Sequence, residues 1–575
     1  MRQSKIVRGA SSVQQTSGAA AVAAPNTANT TVSQHKTLLC VAVTASQTTE
    51  ALRQVRQATE AGADSVELRL DFLEDFEAST TLELLLGSCN LPAIVTYRAG
   101  WEGGKHEGSE DDRLAVLRDA VRLGAAYVDV ELKAARNFFA GLHRTESSNT
   151  KIILSSHDYQ GTPDNASLDV TIREMFTAGA DIAKVATTAQ DIGDALRILR
   201  LPGRATGPVI ALAMGEKGLV SRLLAGKFGG FLTFGRLEGG LGSAPGQPLL
   251  SELQGMYHVQ SQQSSTKVLG VIGNPVSHSK SPALHNAALQ AAGVNSVYVP
   301  LLVDDLPAFL RGCPEVDFAG FSVTIPHKVT ALACADEVDP VAARIGALNT
   351  LVRSLDGRLK GFNTDWSAAI GAIEQGLSEQ QGTAGPLSDA QPSSSPPQQE
   401  SKRIASNDAA GTSGTSPLNR LRVVVLGAGG AGRALAFGAA DKGAQVIIAN
   451  RNLEKAQALA AAIGPDVEVV LPDAIISGKV LGDVLINTTS IGMHPLEDAS
   501  PGPRSGLEGY KLVFDAVYTP IETLLLKEAA AAGCKTVSGL EMFVGQAAQQ
   551  YELFNGSQAP VELLRQAVLH SMVTK

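Results

Sequence analysis

The chain has 575 residues, of which 44% are hydrophobic and 18% are charged, and this length predicts about three or four domains. It contains no apolar run of about 18 residues or more, so we expect no membrane span. The net charge of −9 and the lack of a dense Lys/Arg block argue against nucleic acid as the main partner. The five cysteines are far apart, which favours free thiols in a reducing compartment.

The first 36 residues differ in composition from the rest of the chain. They include Arg2, Lys5, Arg8 and Lys36, many Ser, Thr and Ala residues, and no Asp or Glu. A basic, hydroxyl-rich and acid-free N-terminus is typical of an organelle transit peptide. We therefore expect residues 1–36 to be a transit peptide, with a disordered tail as the alternative.

Short apolar strands alternate with amphipathic stretches, such as 112–123 and 189–200, as far as about residue 250. Eight strands are predicted, at 38–45, 65–71, 92–98, 127–132, 151–158, 181–187, 207–214 and 231–237. Eight such units in about 210 residues indicate a (β/α)8 TIM barrel. A doubly wound open sheet is the alternative.

The remainder of the chain reads as a second α/β region with one interruption. Residues 376–418 are rich in Ser, Pro, Gly and Gln, which predicts a disordered insertion. The predicted segments are a tail (1–36), the barrel (37–253), a polar linker (254–266), an α/β domain (267–375), the insertion (376–418), a Rossmann domain (419–537) and C-terminal helices that return to the α/β domain (538–575).

Polar side chains follow the carboxyl ends of the predicted barrel strands, where the reactive groups of such barrels lie. They are Glu67, Arg69, Arg98, Glu102, His157, Lys184, Arg222, Ser243 and Gln247. Each of them alone would be more typical of a salt bridge, a cap or a turn. Their coincidence at one barrel mouth indicates a catalytic site.

Lys184 lies within the apolar strand 181–187, where an ammonium group is costly to bury. With two arginines nearby, we expect desolvation and repulsion to lower its pKa, so that a neutral amine forms a Schiff base. A histidine such as His157 transfers protons near neutral pH, and a further arginine suits a substrate carboxylate. A class I aldolase remains an alternative at this point.

Six motifs in this half resemble type I 3-dehydroquinate dehydratases. They are "VELRLD", "TYRAGWEGG", "SSHDY", "DIAKVAT", "MGEKGLVSRL" and "SAPGQ", in that order. The resemblance implies that Lys184 forms an imine with the C3 ketone of 3-dehydroquinate, and that His157 removes a C2 proton and later protonates the departing C1 hydroxyl. It implies that Arg222 holds the carboxylate and that Glu102 helps to position His157 or the lid loop. The other implied substrate contacts are Glu67, Arg69, Arg98, Ser243 and Gln247.

A glycine turn opens the predicted Rossmann domain. Gly427, Gly429 and Gly432 fit the pattern GxGxxG between a strand and a helix, which lets the backbone approach a pyrophosphate at the helix N-terminus. The next strand ends at Asn450 and Arg451 instead of the acid of an NAD site. An arginine there suits a 2′-phosphate, so the sequence predicts NADP, with an ordinary surface arginine as the alternative.

A second set of polar residues precedes that turn. Its members are Ser279, Ser281, Thr324, Lys328, Asn349 and Asp365. Each is compatible with turn chemistry alone. As a set they supply hydroxyl-binding groups and one lysine–aspartate pair suited to proton transfer beside a hydride acceptor.

Together with "INTTSIGM", "DAVYTP" and "SGLEMFVGQAAQQYELF", this set resembles shikimate dehydrogenases over about residues 267–575. The resemblance implies that Lys328 and Asp365 are the catalytic pair at the 3-dehydroshikimate carbonyl. The implied shikimate contacts are Ser279, Ser281, Thr324, Asn349, Tyr518 and Gln546. The implied cofactor contacts are Gly427, Gly429, Gly430, Gly432, Asn450, Arg451, Thr488 and Met493. At positions 281 and 324, the resemblance is to members of the family that act on shikimate rather than to those that act on quinate.

The two halves in this order resemble the fused dehydratase–dehydrogenase enzymes of plants and algae, which act in the shikimate pathway of aromatic amino acid biosynthesis in plastids. The resemblance implies NADP(H) as cofactor, no metal, and a plastid location, with the cytoplasm as the alternative. The expected partners are the small-molecule substrates 3-dehydroquinate and 3-dehydroshikimate, and neither nucleic acid nor a membrane is expected. We expect the protein to be a monomer. A quinate-directed dehydrogenase with a weak dehydratase half and a binding protein without turnover are the competing hypotheses.

Overall fold

The computed structural model describes residues 36–142, 149–240, 242–244, 246–313, 318–381, 415–503 and 505–573. The predicted N-terminal tail up to residue 35 and residues 382–414 of the predicted insertion lie outside the described residues.

Eight parallel strands form the N-terminal half. They are β1 (Leu38–Val43), β2 (Ser65–Arg69), β3 (Ala93–Thr96), β4 (Tyr127–Glu131), β5 (Lys151–Asp158), β6 (Ile182–Thr188), β7 (Val209–Met214) and β8 (Leu232–Gly235). Their order is β7-β6-β5-β4-β3-β2-β1-β8. The N–H of Phe231 donates to the carbonyl of Val209 at 2.8 Å and joins the seam between β8 and β7. The predicted (β/α)8 barrel is confirmed.

Helices surround this barrel, and three of them begin at residues whose side chains cap the first turn. They are α1 (Thr48–Glu60), α2 (Thr81–Gly87), α3 (Glu110–Arg122), α4 (Ala135–Ala140), α5 (Asn165–Thr177), α6 (Ile192–Leu199), α7 (Leu201–Arg204) and α8 (Leu219–Leu223). The side chains of Ser109, Asp164 and Asp191 accept backbone N–H groups at the starts of α3, α5 and α6. Such caps satisfy donors that the first helical turn leaves unpaired.

The barrel interior changes from apolar to polar along the strands. Ile153 and Ile182 belong to an inner apolar cluster at the amino side. Side chains two residues apart in a strand point to the same side. Ser155 and Lys184 therefore enter the interior one layer closer to the carboxyl ends, which gathers the polar groups at the mouth.

The predicted linker, 254–266, is folded onto the barrel. Tyr257 and Val259 are buried, and Nε2 of Gln262 donates to the carbonyl of Leu223 at 2.8 Å. The connection between the two halves is therefore packed rather than extended.

The second α/β domain contains a mixed six-stranded sheet. Its elements are β9 (Lys267–Gly273), α9 (Ser281–Ala291), β10 (Ser296–Leu302), α10 (Leu306–Gly312), β11 (Phe318–Val323), β12 (Glu337–Val338), α11 (Pro340–Ile345), β13 (Thr350–Arg353) and β14 (Leu359–Phe362). The strand order is β10-β9-β11-β13-β14-β12.

A third sheet is entirely parallel. Its elements are α12 (Asp365–Gln381), β15 (Arg422–Leu426), α13 (Gly430–Asp441), β16 (Gln445–Ala449), α14 (Leu453–Ile463), β17 (Glu468–Val470), α15 (Pro472–Ile476), β18 (Val484–Asn487), β19 (Leu512–Asp515), α16 (Leu524–Ala531) and β20 (Lys535–Ser538). The order β17-β16-β15-β18-β19-β20 is that of a dinucleotide-binding Rossmann fold.

Two final helices, α17 (Gly539–Asn555) and α18 (Val561–Val573), pack back on the second domain. α18 lies against α9, and Nζ of Lys280 donates to the carbonyl of Ser571 at 2.5 Å. The helix α12 continues to Gln381, beyond the predicted start of the insertion at residue 376, because Leu377 is buried in the Rossmann core.

Among the described residues, no helix is long and apolar enough to cross a membrane. All five cysteines are free thiols, as the sequence predicts.

Candidate active sites

Lys184 lies at the barrel mouth between two carboxylates. Its Nζ donates to Oδ2 of Asp129 at 2.7 Å and to Oε1 of Glu67 at 3.0 Å. It also lies 5.1 Å from the centroid of the Phe234 ring. The side chain is 5% exposed, so the structure presents a single amine held rigidly away from bulk water.

The pKa of Lys184 differs from the sequence prediction. Burial lowers it, and Arg98 acts in the same direction, but the carboxylates of Asp129 and Glu67 outweigh both, so the pKa is raised. The prediction of a neutral amine is therefore wrong for the free protein, because the sequence analysis did not identify Asp129 and did not show that Glu67 pairs with Lys184. The proton on Nζ must leave before the lysine becomes a nucleophile.

Arg98 connects three strands beneath the mouth. Its Nη2 donates to Oδ1 of Asp129 at 2.7 Å, and its Nη1 donates to Oε1 of Glu131 at 2.9 Å and to Oγ of Ser155 at 2.8 Å. Most of its donors are therefore used by protein groups. This geometry fixes Asp129, the partner of Lys184, from its other side.

The sequence analysis missed Asp129, Glu131 and Ser155. Asp129 and Glu131 alternate with valines in β4, so both carboxylates point to one side of a strand that is otherwise apolar. Buried carboxylates need partners. The alternation of acidic residues with valines was therefore the signal from which a buried polar site could have been predicted. Ser155 carried no comparable signal.

His157 and Glu102 form a second pair at the mouth. Nδ1 of His157 lies 2.9 Å from Oε1 of Glu102, which also accepts the backbone N–H of His157 at 3.0 Å. Glu102 ends a short 3-10 helix after β3, and His157 lies in β5. The hydroxyl of Tyr159 donates to the carbonyl of Glu102 at 3.4 Å.

The surroundings change the pKa of both partners. Burial, helped by Arg98 and Lys184, lowers the pKa of His157 well below its usual value. Burial raises the pKa of Glu102 to about 7, although Arg98 opposes that rise. His157 is therefore a neutral imidazole near pH 7, and an Nδ1–H bond to Glu102 leaves the lone pair of Nε2 available.

Arg222, on α8, is a buried cation. It is 2% exposed, and its Nη1 has no hydrogen-bond partner among the described residues. Burial lowers its pKa to about 10. A buried guanidinium that pairs with no carboxylate in the described part of the chain favours an anion at this position.

Arg69, by contrast, is paired within the protein. Its Nε and Nη2 donate to Oδ1 and Oδ2 of Asp71 at 2.9 and 2.8 Å. Its guanidinium also lies 4.7 Å from the centroid of the Phe72 ring. Arg69 therefore presents its remaining donors in a fixed orientation.

Ser243 and Gln247 close a loop after β8. Nε2 of Gln247 donates to Oγ of Ser243 at 3.0 Å, and Oε1 of Gln247 accepts the backbone N–H of Ser243 at 2.9 Å. A Cβ on Gly246, which has φ +75°, would lie 3.0 Å from the carbonyl oxygen of Gly215. This loop therefore packs against the one that leads from β7 to Arg222.

In the second half, Lys328 and Asp365 form an ion pair with Nζ and Oδ2 2.6 Å apart. Lys328 follows β11, and Asp365 begins α12. A Cβ on Gly430 would lie 3.1 Å from Cδ of Lys328. The predicted proton-transfer pair therefore adjoins the first turn of the cofactor-side helix α13.

Asn349 and Gln546 lie together near this pair. Nδ2 of Asn349 donates to Oγ1 of Thr364 at 2.9 Å and to Oε1 of Gln546 at 3.5 Å. Gln546 belongs to α17, where Phe543 stacks on Tyr518 with ring centroids 4.4 Å apart. The structure thus brings together Asn349, Gln546 and Tyr518 from three segments that are distant in sequence.

Ser279, Ser281 and Thr324 line the ends of neighbouring elements. Oγ of Ser279 accepts the backbone N–H of Ser281, the first residue of α9, at 3.3 Å. The N–H of Thr324 donates to the carbonyl of Ile272 in β9 at 2.9 Å. These hydroxyls are therefore positioned by the carboxyl ends of β9 and β11.

The glycine turn fits a pyrophosphate. Gly427 has φ +106°, and a Cβ on Gly432 would lie 2.2 Å from the carbonyl oxygen of Gly427. Gly429, the N-cap of α13, has open space where a Cβ would be. Backbone N–H groups at such a helix start face outward and bind phosphate oxygens. Oγ1 of Thr488 closes the turn by donating to the carbonyl of Leu426 at 2.7 Å.

Asn450 and Arg451 follow β16 beside this turn. The N–H of Gly427 donates to the carbonyl of Ala449 at 2.8 Å, and Nδ2 of Asn450 donates to the carbonyl of Asn452 at 2.8 Å. Arg451 is exposed. Met493 is also exposed, in the loop after β18.

Comparison with known proteins shows which families the parts of this chain resemble. Four family models match the chain: type I 3-dehydroquinase over residues 39–264, shikimate dehydrogenase substrate binding domain over 271–351, NADP oxidoreductase coenzyme F420-dependent over 422–481, and shikimate 5′-dehydrogenase C-terminal domain over 539–569.

The chain is also similar to individual proteins. The chain is 47% identical to the bifunctional 3-dehydroquinate dehydratase/shikimate dehydrogenase, chloroplastic, of Arabidopsis thaliana, over 92% of this chain and 84% of the relative. It is 38% identical to the shikimate dehydrogenase (NADP(+)) of Moorella thermoacetica, over 54% of this chain and 95% of that protein. A crystal structure of the shikimate 5-dehydrogenase of Thermus thermophilus with NADP(H) and shikimate aligns at 31% identity over 53% of this chain and 99% of that chain, with a TM-score of 0.41. The chain belongs to the bifunctional 3-dehydroquinate dehydratase/shikimate dehydrogenase family.

Proposed function

We propose that the two halves of this enzyme catalyse successive steps, with the residue roles given below. The barrel dehydrates 3-dehydroquinate to 3-dehydroshikimate, and the second half reduces 3-dehydroshikimate to shikimate with NADPH. The observation that carries the residue assignment is that Lys184 lies among buried carboxylates at one mouth, while the Lys328–Asp365 pair adjoins the Rossmann turn. The quinate-directed alternative is not favoured.

In the dehydratase, Lys184 forms an imine with the C3 ketone. Nζ first gives up a proton to one of the carboxylates that bind it, Asp129 or Glu67, and the amine attacks the carbonyl carbon. The carbonyl oxygen takes one proton from the nitrogen and one back from the carboxylate, and leaves as water. Asp129 and Glu67 hold Nζ in place before the attack. The imine then accepts the electron pair that is left when the C2 proton is removed.

His157 is the acid–base group of this half. Its neutral imidazole removes the C2 proton through Nε2, while Nδ1–H remains bonded to Glu102. The resulting imidazolium returns a proton to the C1 hydroxyl, which departs as water, and hydrolysis of the imine releases 3-dehydroshikimate and restores Lys184. Glu102 is a positioning residue, because it holds the ring and stabilises its charged form.

Arg222 binds the substrate carboxylate. The support is that Arg222 is buried and pairs with no carboxylate among the residues that the structure describes, so an incoming anion would supply the missing partner. The remaining contacts to substrate hydroxyls are assigned to Glu67, Arg69, Arg98, Ser243 and Gln247, of which Arg69 and Arg98 act with the donors that protein carboxylates leave free.

In the dehydrogenase, Lys328 and Asp365 exchange a proton with the oxygen of the substrate carbonyl. The nicotinamide cofactor, when bound, supplies a hydride to the carbonyl carbon. Gly427, Gly429, Gly430 and Gly432 would hold its pyrophosphate, and Asn450, Arg451, Thr488 and Met493 its remaining parts. Ser279, Ser281, Thr324, Asn349, Tyr518 and Gln546 bind the shikimate ring and its carboxylate.

Borohydride trapping tests the covalent step. The chain is incubated with 3-dehydroquinate, reduced with borohydride, digested and examined by mass spectrometry. We expect a stable adduct on the peptide that contains Lys184 and none on Lys217, which lies in the loop after β7 at the same mouth. Dehydration without an adduct on Lys184 would contradict the imine.

We propose that the acid-free N-terminus is a plastid transit peptide and that the domain boundaries follow the segments given above, except that α12 extends into the predicted insertion as far as Gln381. A fusion of residues 1–36 to a fluorescent protein, offered to isolated chloroplasts, should be imported and shortened. Exclusion of that fusion would favour a cytoplasmic enzyme.

A further inference from the structure

A buried chain of hydrogen bonds runs beneath the proposed shikimate site. The phenol of Tyr298, in β10, donates to Oγ of Ser322 in β11 at 2.6 Å. The hydroxyl of Ser322 donates to Oε1 of Gln550 in α17 at 2.7 Å. All three side chains are buried. None of them was identified from the sequence, and none has a role in the proposed mechanism.

One end of this chain reaches Asn349. Nε2 of Gln550 donates to Oγ1 of Thr350 at 3.0 Å, and that hydroxyl donates to Oδ1 of Asn349 at 2.8 Å. The backbone N–H of Thr364 donates to the same Oδ1 at 2.8 Å. Because these donors hold Oδ1, the amide must direct its Nδ2 to Oγ1 of Thr364, at 2.9 Å, and towards Oε1 of Gln546, at 3.5 Å.

The other end of this chain is Tyr298 itself. Burial raises the pKa of its phenol, so the phenol remains protonated and its O–H remains a donor to Ser322. His285, in α9, stacks on the Tyr298 ring with centroids 4.3 Å apart and planes 10° apart. Burial lowers the pKa of His285 to about 3, so the stack carries no charge. The stack fixes the plane of the Tyr298 ring and, with it, the direction in which the phenol O–H meets Ser322.

We propose that Tyr298 and Gln550 are positioning residues of the dehydrogenase, which act through Ser322 and Thr350 to hold the Asn349 amide in one prearranged geometry for the substrate. This inference rests on the substrate-binding role proposed for Asn349. A fully satisfied buried network has one low-energy arrangement, and a prearranged site does not lose affinity to reorganisation. Among the described residues, neither side chain hydrogen-bonds to Lys328 or Asp365, the proton-transfer pair, so substrate binding rather than chemistry should depend on it.

The first test compares Tyr298→Phe with Tyr551→Phe. Both tyrosines are fully buried in the same apolar cluster, but Tyr551 has no part in the hydrogen-bonded chain. In steady-state reduction, we expect Tyr298→Phe to raise the KM for 3-dehydroshikimate about tenfold, with kcat and the KM for NADPH within about twofold of wild type. Tyr551→Phe should leave all three unchanged. Equal effects of the two variants on KM, or none, would overturn the inference.

Gln550→Met breaks the network at its other end and serves if Tyr298→Phe does not fold. It should produce the same split between KM and kcat. A loss of kcat with normal KM would show that Gln550 acts otherwise.

A double-mutant cycle tests whether Tyr298 acts through Asn349. If it does, Tyr298→Phe should add less than about twofold to the KM of an Asn349→Ala variant. Multiplication of the two single effects would overturn the inference while leaving the proposed function intact. A normal KM for Asn349→Ala alone would instead contradict the proposed substrate role of Asn349, and the inference with it.

Discussion

Replacement of Arg222 by methionine should stabilise the free enzyme and weaken the binding of 3-dehydroquinate. Burial lowers the pKa of this guanidinium from 12.5 to about 10. A lowered pKa means that the folded chain disfavours the charged form relative to the unfolded chain. Below about pH 10 the group is charged in both states, so the cost to folding is fully present at neutral pH.

The difference between those two pKa values corresponds to about 3 kcal/mol. Relaxation around the charge reduces this figure, so we expect Arg222→Met to raise the free energy of unfolding by about 1–3 kcal/mol. That change corresponds to about 2–4 °C in Tm for each kcal/mol. Loss of a buried contact to the substrate carboxylate costs about 2–5 kcal/mol, so the KM for 3-dehydroquinate should rise at least about thirtyfold.

Arg113→Met is the matched control. Arg113 is also fully buried, but its Nη1 donates to the carbonyl of Tyr97 at 2.7 Å and lies 2.8 Å from Oε2 of Glu131. Removing it leaves a buried carboxylate without that partner, so this variant should lose about 3 kcal/mol. Calorimetry of both variants, with dehydratase kinetics, is the assay. A fall in Tm for Arg222→Met comparable to that of Arg113→Met would refute the reasoning.

Three further predictions concern the other groups. Burial raises the pKa of Glu102 to about 7 in the folded chain, so its contribution to stability is lost as the pH rises through that value. Between about pH 5 and about pH 8, the free energy of unfolding of Glu102→Gln should therefore rise by about 3 kcal/mol relative to that of the wild type, which denaturation at both pH values checks. Asp365→Asn should lower the kcat of shikimate oxidation about 10²- to 10³-fold and leave the dehydratase rate unchanged; equal loss of both activities would indicate misfolding instead. Gly432→Ala would place a Cβ 2.2 Å from the carbonyl oxygen of Gly427, so NADPH binding measured by fluorescence should be lost, and normal affinity would contradict the assigned turn.

The fold was largely predictable because its patterns are local. The eight barrel strands differ from the predicted ranges by at most two residues at either end, since each is a short apolar run between turn signals. The Rossmann turn was equally clear, because Gly427 and Gly432 have backbone and packing requirements that other residues do not meet. The end of α12 was less clear, because Leu377 becomes a core residue only through packing against another segment.

The electrostatics of the dehydratase site were not predictable to the same degree. The sign of the shift at Lys184 depends on the distances to Asp129 and Glu67, which come from other strands. Residue types at strand ends indicate which groups meet at the mouth, but not which ones pair. For the same reason the isolation of Arg222 became evident only in the structure.

The central claim is that one chain dehydrates 3-dehydroquinate and then reduces the 3-dehydroshikimate that it has formed. It is tested most directly by NADPH oxidation after addition of 3-dehydroquinate alone, in the wild type and in Lys184→Ala. We predict that the wild type oxidises NADPH, and that the variant does so only when 3-dehydroshikimate is supplied. Equal NADPH oxidation by both proteins with 3-dehydroquinate would mean direct reduction of that substrate, and would contradict the account.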